Sequence, residues 1–285
     1  MFNRFASVAT LALLSAGAAH ADGHANLMGH ALAGDGMTLV TMPSIANPGE
    51  TTMFELSNRL DAIAYRPVTG ELLGFSTEGA VYTINAMTGE MTNLEASFAD
   101  DAMISGVATA FDFNNAIDAV RAVGSDGANL VYFPIGFGDG DERANSVLRF
   151  TDAFYGDADE NAGTAPMIFA NAYTNAIAGS TAESTFQYAL DARTNALVSL
   201  ANNAGELTSV APVMVDGATV DIVTAGGFDI VSPEEGTDLA FAILQMDGAE
   251  TSGLYSIDLE TAEATLLADL GMVGISGFAV SQGGM

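Results

Sequence analysis

The chain has 285 residues, of which 36 are Asp or Glu and 7 are Lys or Arg, giving a formal net charge of −29. A surface this acidic repels phosphate backbones and anionic lipid, which argues against nucleic-acid binding and polybasic membrane attachment. With no cysteine, neither disulfides nor thiolate metal sites are available, so burial must supply the stability.

Residues 1–21 read as a secretory signal. Arg4 supplies the positive start, Val8 to Leu14 an apolar stretch too short to span a bilayer, and Ala19-His20-Ala21 a cleavage site, with Asp22 as the first mature residue. The expectation is an exported, periplasmic or extracellular protein with no membrane span, monomeric, and one domain over 22–285. Every basic residue is Arg, and together with the acidic surplus this composition fits a halophilic, salt-screened surface.

Leu27–Leu32, Met37–Met42 and Thr51–Leu56 are predicted strands, followed by a meander of Leu60–Tyr65, Glu71–Ser76, Ala80–Asn85 and Glu90–Glu95 with Gly-containing turns. A second group comprises Val107–Phe113, Ala119–Gly124, Asn129–Ile135 and Ser146–Phe150. A third starts at Ile168 and continues through Thr185–Asp191, Ala196–Ala201 and Glu206–Ala211. A fourth starts at Gly226, with Leu239–Gln245, Gly253–Leu259 and Glu263–Asp269. One more strand, Gly274–Ser281, ends the series.

Five openers repeat a run of small residues ending on an aromatic: Asp61–Tyr65, Ala108–Phe111, Phe169–Tyr173, Ala225–Phe228 and Gly274–Phe278. The fifth has no strands after it, and the N-terminus has three strands without an opener. Joining them gives an all-β propeller of five four-stranded blades, closed by pairing the two ends of the chain. A six-bladed ring, with a blade hidden in 136–167, and a β-sandwich are the alternatives.

Several ordered segments carry a family resemblance. They are Tyr65–Leu72, the run Phe111–Asn114 with Asp118–Arg121 and Gly127–Leu130, then Ala172–Asn175, Asn203–Gly205 with Leu207, and Gly227–Ile230. Across about 27–280 the chain resembles the exported bacterial family called domain of unknown function 4394. It departs at Asn115, where proline is usual, and at Val131, where arginine is common. The resemblance implies a propeller-like fold and assigns no activity.

In a propeller the first strand of each blade lines the axis, so the ends of those strands converge. Asp61, Asp112 and Asp229 are the candidate carboxylates for acid–base chemistry on a glycan or lactone. Arg66, Asp112, Asn114, Asp118, Arg121, Asn175 and Asp229 are the candidate ligand-binding set. The same residues also suit strand caps and Arg–carboxylate pairs. Asp157, Asp159 and Asn161, in D-x-D-x-N-x-G spacing, are candidate Ca²⁺ ligands, although Ile168 stands where an EF-hand needs Glu. Asp139, Asp141 and Glu142 form a weaker acidic loop. The only histidines are His20, His24 and His30, too few and too clustered for a zinc site. The reading is a binding module for a protein or glycan ligand, possible structural calcium included, with a carboxylate hydrolase as the alternative.

Overall fold

A computed structural model describes residues 26–282. The signal segment, His20 and His24 lie outside the described residues. Five sheets surround one axis. The first blade runs outward through Ala62–Arg66, Glu71–Ser76, Ala80–Ile84 and Met91–Asn93. The second uses Thr109–Asn114, Ala119–Gly124, Asn129–Phe133 and Ser146–Arg149. The third uses Ile168–Tyr173, Gln187–Asp191, Ala196–Leu200 and Glu206–Pro212, and the fourth Ile222–Glu234, Thr237–Met246, Gly253–Ile257 and Ala264–Asp269. In the fifth, Gly277–Gln282 is innermost, followed by Leu27–Ala33, Thr38–Met42 and Thr52–Glu55.

Ring closure is the pairing expected from the repeats. Leu27–Ala33 lies antiparallel to Gly277–Gln282, in register from Leu27 opposite Gln282 to Leu32 opposite Gly277. Residues 136–167 contribute no sixth blade. Their Phe154–Tyr155 adds a parallel outer strand to the third blade, as Ser97–Phe98 does to the second. The outward edges of those blades are thereby covered. A small hairpin of Met214–Val215 and Ala218–Thr219, absent from the sequence reading, leads into the fourth blade.

The core is divided among the blade interfaces. Phe75, Phe111, Phe113 and Tyr132 pack between the first and second blades. Val123, Ile168, Val198 and Leu207 pack between the second and third, and Phe169, Leu190, Phe228 and Ile230 between the third and fourth. Val231, Phe241, Phe278 and Val280 fill the next gap, and Leu32, Leu39, Leu60 and Leu72 the last. Each innermost strand is sandwiched between two neighbours, so both its faces are buried. That is why Thr109–Asn114 and Ile168–Tyr173 are buried throughout and lack the alternation of a strand with one wet face.

Candidate functional site

The innermost strands all run the same way, so the axis has a strand-start mouth and a strand-end mouth. Midway, Ile63, Ala110, Phe111, Asn171, Phe228 and Phe278 close the channel to a void of about 10 Å³, room for about one water. The amide group of Asn171 lies there buried with neither of its atoms partnered. Nothing of substrate size crosses the ring.

The sequence-nominated carboxylates divide between the two mouths. Asp61 sits at the strand-start side. Its Oδ2 accepts from Thr77 N at 2.7 Å and Thr77 Oγ1 at 2.8 Å, and its Oδ1 meets Arg59 Nη2 at 2.9 Å. Asp112 and Asp229 sit at the strand-end side, where both line one small void with Tyr65, Val280 and Gln282. Asp61 therefore does not join the other two.

Asp112 and Asp229 are each only 4% exposed, and each joins two blades. Asp112 Oδ2 accepts from the Tyr173 amide of the third blade at 2.7 Å. Asp229 Oδ1 accepts from the adjacent Ile230 amide at 2.7 Å, and its Oδ2 from the Val280 amide of the fifth blade at 2.5 Å. An innermost strand has no strand partner on its axial side, so these carboxylates satisfy amides that would otherwise be orphaned. Burial, and then the charge of Asp229, push the Asp112 carboxyl well above the usual range. Burial pushes Asp229 up to about 7, against the pull of its two amide donors.

The other nominated residues also join blades. Arg66 Nε donates to Asp118 Oδ1 at 2.8 Å and Nη2 to Oδ2 at 2.5 Å, a fork clamping the first blade to the second. Asp118 holds a left-handed φ of 52°. Arg121, 4% exposed, donates to Tyr173 Oη at 2.8 Å, to Asn129 Oδ1 at 2.5 Å and to Asn203 Oδ1 at 2.8 Å. Asn114 Oδ1 accepts from Ala116 N and Thr185 Oγ1. Asn175 Oδ1 accepts from Gly236 N, while its Nδ2 donates to Ser184 O.

In the acidic loop, Asp159 Oδ2 accepts from Ser209 N, and its Oδ1 from Asn161 N and Ser209 Oγ. Asn161 turns its Nδ2, a donor, toward Ser209. The loop is docked on the outer strand of the third blade by these bonds. Among the described residues no three carboxylates or imidazoles gather in metal-binding range, and no helix is long and apolar enough to cross a membrane.

The open concavity on the axis is the strand-start mouth, a funnel of about 410 Å³. Three stretches build its wall: Gly106–Thr109, Thr224–Gly226 and Gly274–Ser276. Asp35, Arg59 and Asp61 stand at one side. Thr224 and Ala225 lie where the register of the fourth blade's innermost strand slips between Ile222 and Gly226, a bulge that aims them into the mouth. The Ser276 hydroxyl is buried there without a partner, and Val107 at the rim is 83% exposed. Arg59, Thr224 and Ser276 were not among the nominated residues. The available signal is position: Arg59 and Thr224 lie just ahead of their openers, and Ser276 lies inside the fifth.

The family model described as Domain of unknown function (DUF4394) matches residues 39–279. The chain belongs to that family. No curated protein matches it. Solved structures similar to this member include a protein of unknown function from Bacteroides thetaiotaomicron VPI-5482, 15% identical, covering 86% of this chain and 54% of that chain with a TM-score of 0.44. An auxiliary nutrient binding protein from the same source is 14% identical, covering 75% of this chain and 55% of that one, with a TM-score of 0.40. PorZ, a surface component of the type-IX secretion system of Porphyromonas gingivalis, is 14% identical over 82% of this chain and 26% of its own, with a TM-score of 0.34. The chain spans about half the length of the first two.

Proposed function

We propose that this DUF4394 member is an exported, non-enzymatic binding module whose ligand seats in the strand-start funnel. The observation that carries the reading is the contrast along the axis. The strand-start mouth offers about 410 Å³, within the range of small-molecule sites, whereas the buried carboxylate pair faces a void of about 10 Å³. A glycosidase needs its two carboxyl groups on either side of a sugar, and Asp112 and Asp229 have no room for one. That favours binding over hydrolysis. The N-terminal signal pattern supports export.

The funnel mixes hydroxyl, backbone and apolar surface with Asp35, Arg59 and Asp61 at one side, groups that can hydrogen-bond hydroxyls, and the chain's −29 charge disfavours anions. The ligand that fits this chemistry is uncharged and hydroxyl-rich, one or two sugar units in size. A screen of neutral glycans against the mature protein, repeated with Ala225→Trp to fill the funnel, tests it. Binding by the wild type that is lost in A225W is expected. Binding that survives A225W would move the site elsewhere, and an empty screen would sink the glycan reading.

A further inference from the structure

The carboxylate pair at the strand-end mouth does something other than bind. Asp112 belongs to the second blade and fastens the third; Asp229 belongs to the fourth and fastens the fifth. Both reach the same void, and neither forms an ion pair with any Arg of the described residues. Two negative charges held this close in the interior repel each other and have lost their hydration.

The other groups facing the pair do not relieve it. Arg121 lies opposite Asp112 in the register of the second blade, but its donors go to Tyr173, Asn129 and Asn203. Tyr173 presents its amide to Asp112 and its phenol to Arg121, with the phenol pushed up to about 12 by burial. Tyr65 and Gln282 complete the void as neutral groups. From the third and fourth blades, Asp238 accepts from Asn175 N and Ser232 Oγ. The Arg66 guanidinium, next to Tyr65, is taken by Asp118 and Glu71.

We propose that Asp112 and Asp229 form a proton-dependent latch: with a proton held in the pair, their carboxyl groups fasten the innermost strands of the third and fifth blades, and losing it loosens the strand-end side of the ring. The raised titration of both groups agrees with this arrangement.

Three measurements on the mature protein at fixed high NaCl test the latch. Infrared difference spectra across pH 6 to 9 should show a protonated-carboxyl band that fades as pH rises, is weaker in Asp112→Asn and is missing when both Asp112 and Asp229 are changed to Asn. The thermal midpoint of the wild type should fall between pH 6.5 and 8 by about 2–4 °C per pH unit, the effect of about one proton on a domain this size. In D112N burial still raises Asp229, so the fall should be shallower; in the double variant Asp112→Asn, Asp229→Asn, whose amide oxygens can still accept from Tyr173 and Val280, it should stay level. Hydrogen exchange, corrected for its intrinsic pH dependence, should show the Tyr173 and Val280 amides losing protection over the same window. A wild type with no such band would overturn the latch whether or not the variant folds. So would a level wild-type midpoint, or protection at Tyr173 and Val280 that does not change with pH.

Discussion

The ring closes because two innermost strands approach nearer than side chains would permit, and Gly227→Ala tests that directly. A Cβ built on Gly227 would meet the Phe278 amide nitrogen and lie 2.6 Å from Phe278 Cβ and 2.9 Å from Gly277 C. Most of what it meets is backbone of the neighbouring blade, which cannot rotate away. The fourth and fifth blades would have to separate, along the seam where Asp229 accepts from Val280 N and where Val231, Phe241 and Phe278 pack. Overpacking a dense core typically costs about 1–3 kcal/mol, and with backbone in the way we place G227A at the upper end, about 3 kcal/mol. For a domain of this size that is a midpoint about 6–12 °C lower. The control is Gly49→Ala, where an added Cβ meets nothing within 4 Å and the midpoint should hold or rise slightly through reduced freedom of the unfolded chain. Calorimetry of both variants at matched salt and pH decides it. Equal midpoints for G227A and G49A would refute closure by backbone approach.

Arg66→Ala should lower stability by about 1–2 kcal/mol, the lower part of the range for a charged hydrogen bond because the pair is partly wet. Arg66→Lys should recover less than half, since an ammonium cannot reproduce the fork on Asp118; a Lys variant equal to wild type in urea denaturation would contradict this. His30 is buried, with its ring pKa lowered to about 4 by desolvation. The unfolded chain thus binds a proton first as pH falls, and stability from this group is full above about 6.5 and lost toward pH 4. The aspartate pair, raised when folded, has the opposite sign: its contribution is full below the unfolded value near 3.8 and is lost as pH rises through the folded values. The two slopes oppose each other between pH 4 and 6.5, so His30→Gln should expose a continuous fall in midpoint with rising pH, and a rise in H30Q over that interval would show the signs are misassigned.

The repeated openers made the architecture legible because they are the strands buried on both faces. Their composition is fixed by the narrow space at the axis rather than by ligand contacts, which is why Ala62, Ala110, Ala170 and Gly227 recur at the channel wall. Some strands are readable to the residue: Glu71–Ser76 of the first blade and Ala119–Gly124 of the second match their sequence bounds. The two-residue parallel strands at Ser97 and Phe154 were not legible, since a pair of residues carries no period. The sequence groups Asp61 with Asp112 and Asp229 because each lies at an end of an opener: Asp61 begins its own, and Asp112 and Asp229 directly follow theirs. Separating them requires knowing how far along the axis each residue falls: Asp61 precedes its strand, while Asp112 and Asp229 sit well inside theirs.

The polar residues that make this family segment recognisable are mostly engaged with other blades. Arg66 reaches Asp118, Asp112 reaches Tyr173, Arg121 reaches Tyr173 and Asn203, and Asn175 reaches Gly236. In a propeller without cysteine, where among the described residues isolated backbone bonds such as Ser232 N to Ala176 O and Gly226 N to Ile275 O link neighbouring blades, these cross-blade side-chain bonds help fix the angle between blades, because apolar packing alone is not directional. The surfaces left free of this duty are where ligand contact is affordable. On the axis they are the bulged Thr224–Ala225 and the exposed Val107, both at the strand-start mouth. Variation among family members at those positions, with the cross-blade pairs kept, is what a shared scaffold with differing ligands would produce.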